Sequence, residues 1–276
     1  MQPGQDLNNS MLPKNRRAVF GELLKYYKSL LFNMGLLLFV FSIPLLMVNV
    51  WSNLVMAGIN ASSLADAEKY RQMFSTLNMK NILYLPAALI FGVGLSGVMQ
   101  IIHRQIWAED IIIKADFKKG IKSNYLVVAL TLVVICLLNF LLQYLLYSNL
   151  RFDTSYKVVL GIVIGVTVLV APLVILMWSS SIIYQLPLWG HIKNSMLLAM
   201  RKSLIMIPMG LLNLALIIIT ILPISYAIYI CFLLLPLVIG PLVIVFNQLV
   251  CDHLFDEFIN QEHFPEIYRK GMQKDE

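Results

Sequence analysis

The stretch that decides the fold reads SLIMIPMGLLNLALIIITILPISYAIYICFLLLPLVIGPLVIVFNQLVC, from Ser203 to Cys251. It contains no Asp, Glu, Lys, Arg or His, and four other long apolar stretches of the chain share this property. An uncharged run of 18 or more apolar residues is long enough to cross the roughly 30 Å hydrocarbon core of a bilayer as a helix. The chain is therefore expected to be an integral membrane protein.

Composition supports this expectation. Mean hydropathy is +0.78, and charged residues make up 13% of the 276 residues, about half of the roughly 25% typical of a soluble domain. The lengths of the apolar runs, without strand-like alternation, favour helices over a transmembrane barrel. We expect an all-α, polytopic membrane helix bundle with no separate soluble domain.

The apolar runs divide into six predicted transmembrane helices. The uncharged stretch is too long for one helix and is divided at the turn residues Leu222 to Ser225, which include Pro223. The predicted spans are about Leu30 to Val50, Ile82 to Ile102, Tyr125 to Tyr147, Val158 to Ile183, Leu204 to Leu222 and Tyr226 to Val250. Residues 1–29 then form a polar amino-terminal segment, residues 30–250 the membrane domain and residues 251–276 a carboxyl-terminal tail. The connection from Trp51 to Asn81 is expected to be a long external loop.

Basic residues indicate the orientation, because Lys and Arg in short flanking segments stay on the cytoplasmic side. Sixteen of the 21 Lys and Arg residues lie on the side that carries both termini. The other five are Lys69, Arg71, Lys80, Arg151 and Lys157. Both termini are therefore expected to be cytoplasmic, and the first helix to act as a signal anchor. The net charge of +6 fits an anionic membrane surface, so we expect no nucleic-acid binding.

Enzymatic chemistry is not expected. The six predicted spans contain no ionisable residue, whereas acid-base or metal catalysis needs such groups in a protected cavity. His103, Arg104, Glu109, Asp110, Asp252 and His253 lie at the membrane rim and are interpreted as solvated helix ends. The sequence has no phosphate-binding Gly-Lys-Ser/Thr loop, and Cys136, Cys231 and Cys251 are interpreted as buried thiols. We expect no catalytic residues, no cofactor and no metal.

Two cytoplasmic connections combine an aromatic residue with nearby basic residues. The first begins Asp116-Phe117-Lys118-Lys119, and the second reads Trp189-Gly190-His191-Ile192-Lys193. Aromatic residues and Arg are enriched at the centres of protein interfaces. The candidate partner-binding residues are accordingly Phe117, Lys118, Lys119, Trp189, His191 and Lys193. Residues 192–206 also have the spacing of an amphipathic surface helix, which would dock on a partner or rest on lipid headgroups.

Several segments resemble the YesL-type membrane proteins of Gram-positive bacteria. They are Phe41 to Pro44, Asp116 to Tyr125, Ile192 to Ala199, and the ending with Gly240-Pro241, Phe246-Asn247 and Leu254 to Asp256. The resemblance covers about Leu30 to Phe258 and implies a multi-pass protein of the bacterial cytoplasmic membrane. It also implies association with carbohydrate-uptake ABC systems and their regulators, and it supplies no catalytic residues. The polar amino terminus and the 51–81 connection depart from the family pattern.

Two functions are compatible with the sequence. The first is a non-enzymatic accessory or regulatory component that contacts ABC transporter subunits or a sensor protein from within the lipid bilayer. The second is a stand-alone transporter for a neutral polar solute, with a path lined by Asn, Gln and Ser side chains of the spans. The same polar groups are also suited to holding helices together. A homo-oligomer is compatible with either function.

Overall fold

The computed structural model describes residues 12–148, 155–221 and 235–273, and no strand occurs among them. The helices α1 to α8 are Arg16–Tyr26, Lys28–Ala61, Asp66–Ile106, Ile113–Ser148, Ser155–Ile183, Leu188–Arg201, Ser203–Ile221 and Leu235–His263. Helix α8 includes two π-helical turns, Leu235–Ile239 and Asp256–Asn260. The predicted turn around Pro223 and the thiol of Cys231 lie outside the described residues.

Five of these helices, α2, α3, α4, α5 and α8, are each long and apolar enough to cross a membrane. Helices α6 and α7 are bent by 110° relative to each other and pass the same test only as a pair, so the number is at most six if that pair is one broken span. Helix α3 packs against both α2 and α4, and α5 packs against α4 and α7. The protein is a polytopic bundle of membrane-spanning helices, as the apolar runs predict.

The prediction that Trp51 to Asn81 form a long external loop is wrong. Helix α2 continues to Ala61 and α3 begins at Asp66, so the two helices form a hairpin whose connection is only residues 62–65. At 1.5 Å per residue, the 34 residues of α2 and the 41 residues of α3 extend about 51 Å and about 62 Å. Loss of apolar character marks the membrane boundary and does not end a helix, because Glu, Lys, Arg and Gln are good helix formers.

The connection expected from Asp116 to Asn124 is also helical, because α4 begins at Ile113. This segment lies close to α3: a Cβ atom on Gly120 would overlap the backbone of Ser96, and one on Gly97 would overlap the ring of Phe117. Small residues permit such close helix packing in membranes. The first turns of α4 are therefore part of the bundle core.

Polar side chains of the spans form hydrogen bonds between helices. Asn213 of α7 and Asn247 of α8 exchange hydrogen bonds, with N–O distances of 3.4 and 3.2 Å. The indole of Trp178 donates to Thr131 between α5 and α4, and Gln248 donates to the carbonyl of Met99 between α8 and α3. These contacts satisfy polar groups that lipid cannot solvate.

Candidate functional site

Both described termini meet at one end of the bundle, here called the basic end. The amide of Gln273 donates to the carbonyl of Pro13 at 3.0 Å, and the guanidinium of Arg16 donates to the carbonyl of Lys270 at 3.2 Å. Helix α1 is capped by Asn15, whose side chain accepts from the amide of Ala18. It buries Val19 and Leu23 in the same core cluster as Val245 and Leu249 of α8. The amino-terminal segment is thus packed onto the carboxyl-terminal helix.

A buried ion-pair cluster lies beneath this contact. Asp252 and Asp256 are four residues apart on α8 and therefore face the same side, and both carboxylates are buried. Arg16 lies 2.7 Å from Asp256 and 3.7 Å from Asp252. The indole of Trp107 also donates to Asp252. One arginine from α1 thereby compensates two carboxylates that are removed from water.

Asp256 connects this cluster to the tail and to α5. Its second carboxylate oxygen accepts from the side-chain amide of Asn260 and from the backbone amide of Arg269. Asn260 in turn accepts from the hydroxyl of Tyr184, which follows the end of α5. Burial raises the pKa of Tyr184, and the nearby negative charges of Asp252 and Asp256 raise it further. Tyr184 is consequently a neutral donor that fixes the end of α5 to α8.

A second charged group joins α3 to α4 and to the tail. Arg104 pairs with Asp116 and with Glu109, the latter at 3.0 Å. The other oxygen of Asp116 accepts from the amide of Ile112, so this carboxylate also holds the start of α4. Lys270 reaches Glu109 at 2.5 Å and lies over the ring of Trp107. The charged groups of the basic end bind the helix ends and the tail together.

The interpretation of the rim residues as solvated helix ends is wrong for Asp252 and His103. Asp110 and His253 are exposed, as expected, and Arg104 and Glu109 are partly exposed. Asp252 and His103 are 2% and 5% exposed. Asp252 pairs with Arg16 of α1, and the ring of His103 lies 4.2 Å from the ring of Trp107. Sequence reasoning also missed Arg16 and Asp256 as members of the cluster. The available signal was the four-residue spacing of Asp252 and Asp256 on an apolar helix, but their partner is more than 200 residues away in the chain.

The predicted contact residues on α6 differ in exposure. Trp189 is 71% exposed and Lys193 is also exposed, whereas His191 is buried. The hydroxyl of Ser180 and Nδ1 of His191 share a hydrogen bond of 2.8 Å between α5 and α6. Burial lowers the pKa of His191, so the ring is neutral at physiological pH. Its role here is to fix α6 against α5.

The outward face of α6 is mainly apolar, with Lys193 exposed between Trp189 and Met196. Besides Trp189, it exposes Met196, Leu197 and Met200. The opposite face buries His191, Ser195 and Leu198, so α6 is amphipathic. The helix predicted over residues 192–206 is interrupted, because α6 ends at Arg201 and α7 begins at Ser203 in another direction. Lys202 next to the bend pairs with Glu257 of α8 at 2.8 Å, which places α6 at the basic end.

The predicted contact residues on α4 also separate. The side chain of Phe117 is half-buried. Its ring packs against Gly97 and lies 5.8 Å from the ring of Phe41. Lys118 and Lys119 are exposed. The assumption that Phe117 is an exposed aromatic anchor is therefore wrong, because the first turn of α4 directs it into the gap between α2 and α3.

No metal centre is evident in the described part of the chain. Within residues 12–148, 155–221 and 235–273, no group of three His, Cys, Asp or Glu side chains is arranged to hold a metal ion. A cavity of about 40 Å³ lies between α4 and α5, lined by apolar residues together with Asn139 and Thr167. This is room for about one water molecule. Cys136 and Cys251 are free and buried, as expected.

Comparison with known proteins adds no relatives. No protein-family model matches the chain, and neither the curated proteins nor the solved structures include a significant match.

Proposed function

We propose that the protein is a non-enzymatic accessory or regulatory subunit of the bacterial cytoplasmic membrane that works by contacting another membrane protein. The observation that carries this proposal is the outward apolar face of α6. Exposed apolar surface at the end of a membrane bundle is suited to a protein partner or to the lipid interface. The partner class, a membrane subunit of a carbohydrate importer, comes from the resemblance to YesL-type proteins.

The chemistry of α6 supports a protein contact. Trp189 is the kind of large aromatic residue that anchors interfaces, and Met196 and Met200 provide adaptable apolar contacts. Lys193 adds a positive charge on this face, between Trp189 and Met196. The buried Ser180–His191 pair and the Lys202–Glu257 ion pair hold the helix in place. A rigid support of this kind lowers the entropic cost of binding.

The distribution of the charged groups also supports a role without catalysis. Arg16, Arg104, Asp116, Asp252 and Asp256 all take part in contacts that join helix ends and the tail. Several polar side chains of the spans form hydrogen bonds between helices. They fit a structural role better than the lining of a solute path. The proposal therefore places the function on a surface and not in a cavity.

The test is recovery of a partner after mild detergent extraction. A change of Trp189→Ala should leave the amount of inserted protein unchanged and lower partner recovery by about tenfold, equivalent to about 1.4 kcal/mol. Trp51→Ala is the control, because Trp51 is an exposed tryptophan of α2 far from the basic end. If the Trp189 variant recovers as much partner as the wild type does, Trp189 rests at the lipid interface instead. Extraction without any co-purifying membrane protein would contradict the accessory role.

A further inference from the structure

Helix α4 has one face toward the bundle and one face away from it. Asp116, Gly120, Asn124 and Val128 recur every four residues and are buried against the bundle. Leu126, Leu130 and Leu137 lie on the other side and are 68%, 42% and 61% exposed. In a membrane-spanning helix, apolar side chains that are exposed in this way contact the acyl chains of lipids.

The outward face continues past the end of the apolar run into a group of lysines. Lys119 precedes Leu126, Leu130 and Leu137 by about two, three and five turns at 3.6 residues per turn, so it lies on the same side of α4. Lys118 and Lys122 flank it, and all three are exposed. We call Lys118, Lys119 and Lys122 the lysine face. It lies one to two turns beyond the point where the lipid-contacting leucines begin.

Within the part of the chain that the structure describes, these charges have no acidic partner. The nearest acidic residue along the chain, Asp116, lies three residues before Lys119, but its carboxylate is buried and pairs with Arg104. None of the ion pairs found in the described residues involves Lys118, Lys119 or Lys122. The aromatic residue of this segment, Phe117, packs against Gly97 and is not available as an anchor. The surface is thus cationic and lacks the aromatic centre of a protein interface.

We propose that the lysine face binds the phosphate groups of anionic phospholipids whose acyl chains contact Leu126, Leu130 and Leu137. The same lipid molecules that pack on this side of α4 have their headgroups at the level of the lysines. Lysine side chains extend along a helix to place the ammonium group among headgroups, and clustered basic residues next to a span attract anionic lipid. This site is separate from α6 and does not depend on the proposed accessory function.

The test compares two charge-matched variants of the full-length protein in a neutral detergent. Lys119→Gln/Lys122→Gln removes two positive charges from the lysine face, and Lys14→Gln/Arg17→Gln removes two exposed charges from the start of the chain. Binding of phosphatidylglycerol is measured by native mass spectrometry, with phosphatidylcholine and inorganic phosphate in parallel. A monodisperse size-exclusion peak confirms folding, and Lys119→Arg/Lys122→Arg keeps the charge.

Wild type, the Lys14/Arg17 variant and the arginine variant should prefer phosphatidylglycerol over phosphatidylcholine. The Lys119/Lys122 glutamine variant should bind phosphatidylglycerol about tenfold more weakly. Equal affinity of the two glutamine variants would overturn the proposal, as would equal binding of the two lipids by wild type. Displacement of the lipid by millimolar phosphate would indicate a free-anion site. If the Lys119/Lys122 glutamine variant kept its lipid binding but lost a protein partner, the lysine face would be a protein interface.

Discussion

Gly35 of α2 packs directly against the backbone carbonyl of Leu237 in the first π-helical turn of α8. A Cβ atom at position 35 would overlap the carbonyl oxygen and carbon of Leu237. Pro241 lies four residues after Leu237 and has no N–H with which to bond that carbonyl. A proline in α8 and a glycine in α2 thus combine to bring two membrane helices into backbone contact.

Replacing Gly35 with Ala should therefore destabilise the bundle by about 1 to 3 kcal/mol, because the obstructing atoms are backbone and cannot rotate away. Thermal unfolding in detergent, followed by tryptophan fluorescence, measures the effect. Gly58→Ala is the control on the same helix, since a Cβ atom there meets nothing within 4 Å. Equal melting temperatures for the two variants would contradict the close contact.

Arg16 should be far more important for stability than its neighbour Arg17. Changing Arg16 to Gln leaves Asp252 and Asp256 buried without a cation, which typically costs about 3 to 5 kcal/mol. Arg17 is exposed, and its change to Gln should shift stability by about 0.5 kcal/mol or less. Detergent unfolding of the two variants provides the comparison. Similar losses in both would show that the buried pairing does not hold α1 in place.

The Asn213–Asn247 pair tests whether polar groups of the spans hold helices together. A double-mutant cycle with Asn213→Val and Asn247→Val should give a coupling energy of about 0.6 kcal/mol, with about 1.7 kcal/mol as the upper range in membranes. The cycle is measured by unfolding in detergent. Additive single effects would mean that the two amides act independently and would reopen the possibility of a solute path.

The orientation can be checked with single cysteines at Ser63 and Ser123. Both positions are exposed, and the native Cys136 and Cys251 are buried. A membrane-impermeant thiol reagent should label intact cells at Ser63, in the α2–α3 connection, and should label Ser123 only after permeabilisation. Labelling of Ser123 in intact cells would reverse the orientation.

The two aromatic residues predicted as partner anchors show what sequence reasoning cannot resolve. Phe117 and Trp189 both stand beside basic residues at the start of an amphipathic segment, yet one packs against Gly97 and the other is 71% exposed. Their environments depend on which neighbouring helices have glycines at the point of contact. That information is distributed over α2, α3 and α4 and is not contained in either local pattern.

The helical class and the presence of several membrane-spanning helices follow from the sequence alone, because the cost of placing charge in hydrocarbon is large and depends on local composition. The basic residues likewise predict one side for both termini, and contacts such as Gln273 with Pro13 join those termini in the structure. Only the tertiary structure decided that Asp252 and Asp256 are buried. Arg16 and Asp256 are 240 residues apart, and their pairing exists only after helices α1 and α8 have packed together.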